Sequence, residues 1–315
     1  MSLEPSKHSR AVILYNPISG RGKGKQVANQ AARYLEQNGV IVHAILATKS
    51  SSDTRRNLAA KYATEVDLIV VVGGDGTLRD TASGLIDAQG NASLGFIPLG
   101  NANVVARELG IPQSVDLAIH NLVHGQARSI DVGLFTSDTT RKEYFLAMIE
   151  IGRGATIVHQ VQRLRMGALN RTYRYLGDLV YAIATLLSIK KTSTSFDIVD
   201  GHGNTIRDLH SAWISSMATY SKGWKICNTA RCDDGLMDLC ATKDPSFMHF
   251  ISVMLHAALH RSQKLKQMAR SRASFYEISS DDLLAIQADG DPLAACKSIS
   301  IEVLPQAITL IAPKA

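Results

Sequence analysis

A glycine-rich segment, Gly73-Gly-Asp-Gly-Thr77, constrains the fold of this chain more than any other feature of its sequence. It follows a continuous apolar run at 67–72, which is typical of a central parallel strand covered on both faces. The helical pattern 78–88 comes directly after it. This order of strand, glycine loop and helix predicts an α/β domain with a ligand site at the carboxyl end of its sheet.

The residue types in this segment favour phosphate as the ligand. Glycines let the backbone approach phosphate oxygens closely, and the start of the next helix presents N–H groups to an anion. Asp75 beside a phosphate requires either a cation between the two groups or a role in moving a proton. Asp75 is therefore a candidate catalytic and binding residue, and the alternative of a plain glycine turn capped by Asp75 stays open.

Strand and helix patterns alternate over residues 1–135, which predicts a doubly wound α/β nucleotide-binding domain. Strands are predicted at 11–15, 40–46, 67–72, 94–98 and 129–135. Helices are predicted around Val27, Ala31 and Leu35, at 53–63 with Asp53 as its cap, and at 78–88, 101–109 and 115–123.

Residues 136–304 have a different pattern, in which many short runs alternate apolar with polar side chains, as antiparallel strands do. Strands are predicted at 143–150, 194–200, 205–220, 236–242, 274–279, 283–288, 298–303 and 307–311. Helical stretches at 161–190 and 246–269 interrupt them. The second domain is therefore predicted to be β-rich, a sandwich or a barrel with helical insertions.

Composition limits the class of protein without choosing a ligand. A chain of 315 residues fits two domains, and 34 Lys and Arg against 28 Asp and Glu give a mild net charge of +6. Four cysteines without C-x-x-C spacing exclude a disulfide scaffold and argue against a zinc site. The polar N-terminus and the lack of an apolar run of about 20 residues lead us to expect a cytoplasmic protein.

Two more loops with similar chemistry follow predicted strands of the first domain. Asn16-Pro-Ile-Ser-Gly-Arg-Gly-Lys23 lies after the first strand, and Leu99-Gly-Asn-Ala-Asn103 lies after the fourth. The first loop is not a Walker P-loop, because its spacing differs, and alone it also fits an ordinary turn. The carboxyl ends of parallel strands meet at one edge of a sheet, so three such loops predict a phosphate site there.

These loops carry a family resemblance. Asn16-Pro-x-Ser-Gly20, Gly73-Gly-Asp-Gly-Thr77 and Pro98-Leu-Gly-Asn-Ala-Asn-Val-Val-Ala-Arg107 resemble the diacylglycerol/sphingosine lipid kinase family, in particular its soluble bacterial members. The resemblance continues in Asp233-Asp-Gly-Leu-Met-Asp-Leu239 and Gln287-Ala-Asp-Gly-Asp291, so it covers about residues 11–311 in family order. It implies a two-domain kinase with a nucleotide-binding domain at 1–135 and a β-sandwich substrate domain with helical insertions at 136–304. A strand at about 305–315 would return to the first domain.

The resemblance also implies a role for each matching residue. ATP would contact Asn16, Pro17, Ser19, Gly20, Arg21, Thr48, Gly73, Gly74, Asp75, Gly76, Thr77 and Asn101. Arg21 or Lys23 would share the negative charge of the phosphates. A magnesium ion would be held around Arg231, Asp234 and Leu236, partly through backbone carbonyls, and Asp289 with Asp291 would form the catalytic acid pair.

The function that this pattern predicts is ATP- and Mg²⁺-dependent phosphorylation of a lipid hydroxyl, on a diacylglycerol, a sphingoid base or a related amphiphile. Two departures from the family keep alternatives open: Val104 replaces an acid, and Asp291 replaces a glutamate. The alternatives are a soluble NAD-type kinase and a catalytically degenerate protein that binds lipid or nucleotide. Asp131 is a candidate member of the network of carboxylates from which the acid at 104 is missing.

Two acid-free basic stretches, 161–176 and 261–272, adjoin apolar helical patterns. Such segments can lie on an anionic membrane, although a solvated basic face fits equally well. The stretches lack the interleaved aromatics of a nucleic-acid surface, so we expect a lipid partner and no nucleic acid. A homodimer through edge strands stays an open alternative.

Overall fold

The structure, a computed structural model, describes residues 9–48, 51–139, 142–166, 179–188, 194–221, 223–265 and 267–314. The chain divides into two compact units. The first comprises Met1–Val132, Ser221–Gly223 and Pro305–Ala315. The second comprises Gly133–Tyr220 and Trp224–Leu304. Among the described residues, no helix is long and apolar enough to span a membrane.

The first unit is built on a parallel sheet with the strand order β2-β1-β3-β4. Its strands are β1 Arg10–Tyr15, β2 Ile41–Ala47, β3 Leu68–Gly73 and β4 Ser93–Pro98, and β5 Gln126–Ser137 begins in this unit. All six residues of β3 are buried, as its continuous apolar sequence predicts. At the far end of the chain, Leu310 pairs in parallel with Leu94 of β4.

Helices cover this sheet. They are α1 Gly24–Gln37, α2 Ser52–Tyr62, α3 Asp75–Asp87, α4 Val104–Glu108 and α5 Val115–His124. The predicted apolar row of Val27, Ala31 and Leu35 is buried between α1, α5 and the sheet. The first unit therefore has the predicted mixed α/β architecture, and its helices leave the carboxyl ends of the strands to the loops.

Two details of the first unit differ from the predictions. The cap of α2 is Ser51, whose Oγ accepts a hydrogen bond from Thr54 N, and Asp53 lies within the first turn. Helix α4 begins at Val104 instead of residue 101, because Asn103 has a left-handed backbone with φ 47°. Propensity does not reveal this start, since the Asn103 side chain stabilises it by bonding to Gly100.

The second unit contains two antiparallel sheets. Its strands are β6 Glu143–Phe145, β7 Met148–Gly152, β8 Phe196–Asp200, β9 Thr205–Leu209, β10 Ser211–Ser215, β11 Met237–Thr242, β12 Met268–Ala273, β13 Phe275–Leu284, β14 Ile286–Ala288, β15 Asp291–Pro292 and β16 Cys296–Ala312. One sheet has the order β12-β11-β10-β7-β14-β15. In the other, β13 lies between β8 and the first half of β16, and β9 pairs with β8.

Alternating side chains give the six-stranded sheet two apolar faces. Ile149, Ile151 and Ile214 belong to the core between the sheets, as in a β-sandwich. Met148 and Trp213 belong to a second cluster on the opposite face. Three helices cover that face: α6 Arg153–Met166, α7 Leu179–Leu187 and α8 Phe247–Ala258.

Three predicted segments of the second unit are divided differently in the structure. The strand predicted at 143–150 is β6 and β7, the one at 205–220 is β9 and β10, and the one at 283–288 contains the end of β13 and β14. In each case the chain passes from one sheet to the other at the break. Alternation of apolar side chains cannot show this change of sheet, because both strands share the period of two residues.

Other boundaries also differ. The strands predicted at 298–303 and 307–311 are one strand, β16, and the helix predicted at 246–269 ends at Ala258, before a short 3₁₀ turn at Ser262–Lys264. The helix predicted at 161–190 contains the end of α6 and all of α7. Residues 167–178 and 189–193 lie outside the described part of the chain.

Packing of α3 against α2 supports a test of the first unit. Gly84 lies in α3, and a Cβ there would come within 2.2 Å of the Arg56 carbonyl oxygen. We expect Gly84→Ala to destabilise the fold by about 1–3 kcal/mol, although alanine ordinarily favours a helix. Asn29→Ala, on the exposed side of α1, is the control and should keep or raise Tm. Equal Tm values for Gly84→Ala and the wild type would contradict this packing.

Candidate functional site

The loop after β1 is anchored to the neighbouring strand. Asn16 N donates to Val72 O at 2.9 Å, and Asn16 Oδ1 accepts from Ile18 N at 3.1 Å. A Cβ on Gly24 would lie 2.2 Å from Asn16 O, so α1 can begin here only with glycine. These contacts place Pro17 and Ser19 at the carboxyl edge of the sheet.

The same loop then turns towards the loop after β4. Gly20 and Arg21 have left-handed backbones, with φ 59° and 58°, and Gly20 N donates to Leu99 O at 3.2 Å. The side chains of Arg21 and Lys23 are exposed at this edge. The fold therefore brings two cations to the position where the sequence predicts phosphate binding.

The loops after β3 and β4 approach each other without intervening side chains. Leu99 N donates to Gly73 O at 2.6 Å. A Cβ on Gly100 would lie 2.7 Å from Gly74 Cα, so neither glycine can be replaced without moving a loop. The third loop thus contacts both of the others, and the first loop is bonded to the end of β3.

Helix α3 starts from this contact. Gly74 is its N-cap residue, and Asp75 and Gly76 form the beginning of the helix, where N–H groups have no partner within the helix. The Asp75 carboxylate accepts a hydrogen bond from Val105 N at 3.3 Å, so it connects the start of α3 to that of α4. This arrangement can hold an anion by backbone dipoles and keep a carboxylate beside it.

The remaining predicted residues of the first unit take different positions. Thr48 is buried, and its N and Oγ1 both donate to Tyr15 O, at 2.8 and 3.1 Å. Thr77 is also buried and packs against Gly73, whereas Asn101 is exposed. Thr48 therefore fixes the end of β1, and Asn101 lies at the surface of the third loop.

Sequence reasoning missed a buried ion-pair group on α3. Asp80 pairs with Arg55 of α2 at 2.5 Å and with Arg79 at 3.0 Å. The sequence shows that Arg79 and Asp80 are adjacent. It does not show that Arg55, which lies on a different helix, also pairs with Asp80. Nor did the sequence reveal that the Asn103 amide holds the third loop closed, through Gly100 and Gln113.

Val104 and Asp131, which the sequence relates to a network of carboxylates, are both buried in the first unit. Val104 is the first residue of α4 and is buried. Asp131 is buried on β5 and accepts a hydrogen bond from Gln306 N at 2.8 Å. Asp131 thus contacts the backbone of the returning strand β16.

In the second unit, Asp289 occupies a tight hairpin between β14 and β15. Asp289 and Gly290 both have positive φ, 49° and 87°. The Asp289 carboxylate accepts three hydrogen bonds, from the N atoms of Leu146 at 2.7 Å, Ala147 at 2.9 Å and Met148 at 3.1 Å. This carboxylate therefore fixes the corner where the chain passes from β6 to β7.

Both oxygens of Asp289 accept hydrogen bonds from these backbone amides. Asp291 lies two residues on, pairs with Ala288 across the hairpin, and is exposed. The hairpin thus presents one rigidly held and one exposed carboxylate.

The Asp234 side chain, which the sequence predicts to hold magnesium, is engaged by protein groups in this arrangement. Asp234 accepts from Leu236 N at 3.1 Å and forms an ion pair with Arg272, and Arg231 Nε is 4.0 Å away. Arg272 also pairs with Asp238 at 3.2 Å. Within the described residues, no three His, Cys, Asp or Glu side chains form a group that could hold a metal.

The neighbouring Asp238 shows how the arginine compensates the charge of this cluster. Burial raises the pKa of Asp238, and hydrogen bonds from Thr229 and the charge of Arg272 act in the opposite direction. The guanidinium of Arg272 therefore neutralises Asp234, which the sequence assigned to a cation site, and the neighbouring Asp238.

Comparison with known proteins agrees with this geometry. Residues 10–135 match the family described as "Diacylglycerol kinase catalytic domain". Residues 147–312 match the one described as "YegS C-terminal NAD kinase beta sandwich-like domain".

Relatives and solved structures match almost the whole chain. A protein named diacylglycerol kinase from Mycobacterium tuberculosis is 27% identical over 97% of this chain and 96% of its own. Another from Bacillus subtilis is 25% identical over 90% and 89%. A crystal structure titled as diacylglycerol kinases from Bacillus anthracis has a TM-score of 0.73 at 21% identity and covers 98% of both chains. This chain therefore belongs to the family of diacylglycerol kinase-like lipid kinases.

Proposed function

We propose that the protein transfers the γ-phosphoryl group of ATP, with Mg²⁺, to the hydroxyl group of a lipid. The observation that carries this proposal is that the third loop contacts both other strand-end loops beside the start of α3. The substrate class follows from relatives named diacylglycerol kinase, so diacylglycerol is the first acceptor to test, followed by sphingoid bases and related amphiphiles.

The first unit supplies the nucleotide site in this proposal. Backbone N–H groups of the loops at 16–23 and 73–79 bind the phosphates, and Asn101 contacts the nucleotide from the third loop. Arg21 and Lys23 add positive charge without the geometric demands of a metal site. Mg²⁺ that enters with the nucleotide neutralises the phosphate oxygens further.

The second unit supplies the carboxylates. The lipid hydroxyl oxygen forms a bond to the γ-phosphorus, the bond from that phosphorus to the β–γ bridging oxygen breaks, and ADP leaves. The hydroxyl proton passes to Asp289, which is the role that the resemblance assigns to this residue. Asp291 acts beside it through its charge.

We further propose that α8 meets the membrane that contains the substrate. Met248, Ile251, Leu255 and Leu259 recur every three or four residues along α8 and are exposed, Met248 by 73%. Lys243, Arg261 and Lys264 flank the helix. An apolar row flanked by cations fits an anionic lipid surface.

The basic stretches contribute unequally to this surface. Arg270 donates to the carbonyl oxygens of Ser262, Leu265 and Met268, and Arg272 is paired with Asp234, so these two arginines support the fold. Arg163 and Arg165 are exposed at the end of α6. Arg171, Arg174 and Lys266 lie outside the described residues.

Nucleotide binding tests the contact between the loops. Gly100→Ala should raise the Kd for ATP about tenfold or more, because the added methyl forces the loops after β3 and β4 apart. Gly201→Ala is the matched control, since neither Gly100 nor Gly201 has a positive φ, but a Cβ on Gly201 would meet only ordinary contacts at 3.5 Å or more, in the second unit. Calorimetric titration that gives one Kd for both variants would contradict the assignment.

Turnover tests the carboxylates. We expect Asp289→Asn to lower kcat for lipid phosphorylation by about 10²-fold or more while ATP binding persists. The asparagine amide would also face backbone N–H donors, so Tm should fall as well. Asp291→Asn lacks that structural cost and should lower kcat without changing Tm.

The assay uses labelled ATP, Mg²⁺ and mixed micelles with diacylglycerol, a sphingoid base or, as a soluble acceptor, NAD. Turnover within about threefold of wild type in both variants would remove the pair from the reaction. Transfer of the label from ATP to NAD would favour a soluble NAD-type kinase instead. Tight ATP binding with no labelled acceptor would favour a degenerate binding protein.

Membrane docking has its own test. Leu255→Glu should weaken co-sedimentation with vesicles of phosphatidylglycerol and phosphatidylcholine by about tenfold or more, because a charge enters the apolar row. Leu117→Glu is the control, since Leu117 is comparably exposed, by 59% against 58%, but lies on α5 of the first unit. Equal vesicle binding by both variants, at wild-type level, would overturn the docking role of α8.

A further inference from the structure

A buried acid lies next to the catalytic hairpin in the second unit. Glu150 is on β7, and its side chain is 0% exposed. It pairs across the sheet with Trp213 of β10 on one side and Gln287 of β14 on the other. A fully buried carboxyl group is costly unless it serves a purpose, and nothing in the proposed reaction accounts for it.

The surroundings of Glu150 are built to fit it. Oε2 accepts hydrogen bonds from Gln287 Nε2 at 2.8 Å and from the Tyr220 hydroxyl at 3.3 Å. Oε1 lies against Gly154 of α6, where an added Cβ would come within 1.6 Å of it. Oε1 is buried without a hydrogen-bond partner in the structure, so any ionisation of this group places charge on an unsatisfied oxygen.

Gln287 connects this acid to the hairpin. Its Oε1 accepts a hydrogen bond from Gly290 N at 2.7 Å, while its Nε2 donates to Glu150. The two bonds fix the orientation of the amide, since exchanging its oxygen and nitrogen would leave Gly290 N–H facing a donor. Gly290 lies between Asp289 and Asp291, so the acid and the hairpin share one short chain of hydrogen bonds.

We propose that Glu150 is a positioning residue that holds the hairpin of Asp289 and Asp291 through Gln287, and that its ionisation makes phosphoryl transfer depend on pH. The expected effect of Glu150 on turnover rests on the proposed function, whereas its expected effect on the hairpin does not. Glu150 contacts no substrate and acts only through Gln287.

The Glu150 carboxyl group changes its protonation state in the neutral pH range. Burial raises the pKa of Glu150 to about 7, although the polar groups of Gln287, Trp213 and Tyr220 oppose the shift. The groups that face it are Trp213 and Gln287 on the flanking strands, Gly154 on α6, and Tyr220. Burial and Glu150 together raise the pKa of Tyr220 well above its usual value, so this phenol stays protonated.

The direction of the effect follows from hydrogen-bond strength. Above its pKa, Glu150 is ionised. The hydrogen bond that it accepts from Gln287 then becomes charge-assisted, and such a hydrogen bond is roughly twice as strong as one between neutral groups. The Gln287 amide and Gly290 are then held more firmly. We expect kcat to rise with pH through about 7 in the wild type.

Folding stability changes in the opposite direction. Because the folded chain holds the Glu150 proton at higher pH than the unfolded chain does, the free energy of unfolding falls as pH rises from the usual glutamate range to about 7. Glu150→Gln removes this pH-dependent loss of folding stability, because glutamine does not ionise. The Tm difference between the variant and the wild type should therefore grow with pH, and a constant difference would show that Glu150 does not titrate there.

Hydrogen exchange followed by mass spectrometry tests the connection without an activity assay. In the full-length wild type, a peptide over residues 286–293 should be protected several-fold more at about one pH unit above 7 than one unit below, after correction for intrinsic exchange. Glu150→Gln should abolish this difference. Glu277→Gln is the control, because it makes the same change at an exposed position of β13.

Turnover provides the second readout. The rise of kcat near neutral pH should disappear in Glu150→Gln and in Gln287→Leu, and the double variant should lose no more than Gln287→Leu alone. Additive losses, or a pH profile and exchange pattern that Glu150→Gln leaves unchanged, would overturn the proposal. If no lipid is phosphorylated, the proposed function fails, and the exchange experiment still decides whether Glu150 holds the hairpin.

Discussion

The close approach of Gly74 to Gly100 is the constraint on which the first unit depends. Two adjacent parallel strands end side by side, and their loops touch through glycine backbone, with the bond from Leu99 N to Gly73 O between them. The first loop joins them through Gly20 and Leu99. Helix α3 begins at this point, so its amides, the exposed cations and the Asp75 carboxylate share one edge of the sheet.

The second unit uses a carboxylate in a comparable structural role. Its chain passes repeatedly from one sheet to the other, and one such corner, between β6 and β7, is fixed by the three amides that bond to Asp289. The side chain assigned to proton transfer is therefore also a structural element. Its position depends on the hairpin, which Gln287 and Glu150 support from the interior of the unit.

Local signals in the sequence were sufficient for the α/β pattern and for the three loops. Continuous apolar strands, the spacing of Val27, Ala31 and Leu35, and the glycine motifs each depend on neighbours along the chain. The points where the chain of the second unit crosses from one sheet to the other do not depend on such neighbours. They are determined by pairing between strands that are distant in the sequence. For the same reason, no local pattern indicates that Arg272 neutralises Asp234, or that Glu150 contacts Gln287.

The three loops of the first unit are proposed to form a single nucleotide site. Amide hydrogen exchange of the full-length protein, with and without a non-hydrolysable ATP analogue and Mg²⁺, measures whether they bind it together. We expect the analogue to protect residues 16–23, 73–79 and 99–103 together, with one apparent affinity. Protection confined to one loop, or found only outside all three, would contradict it.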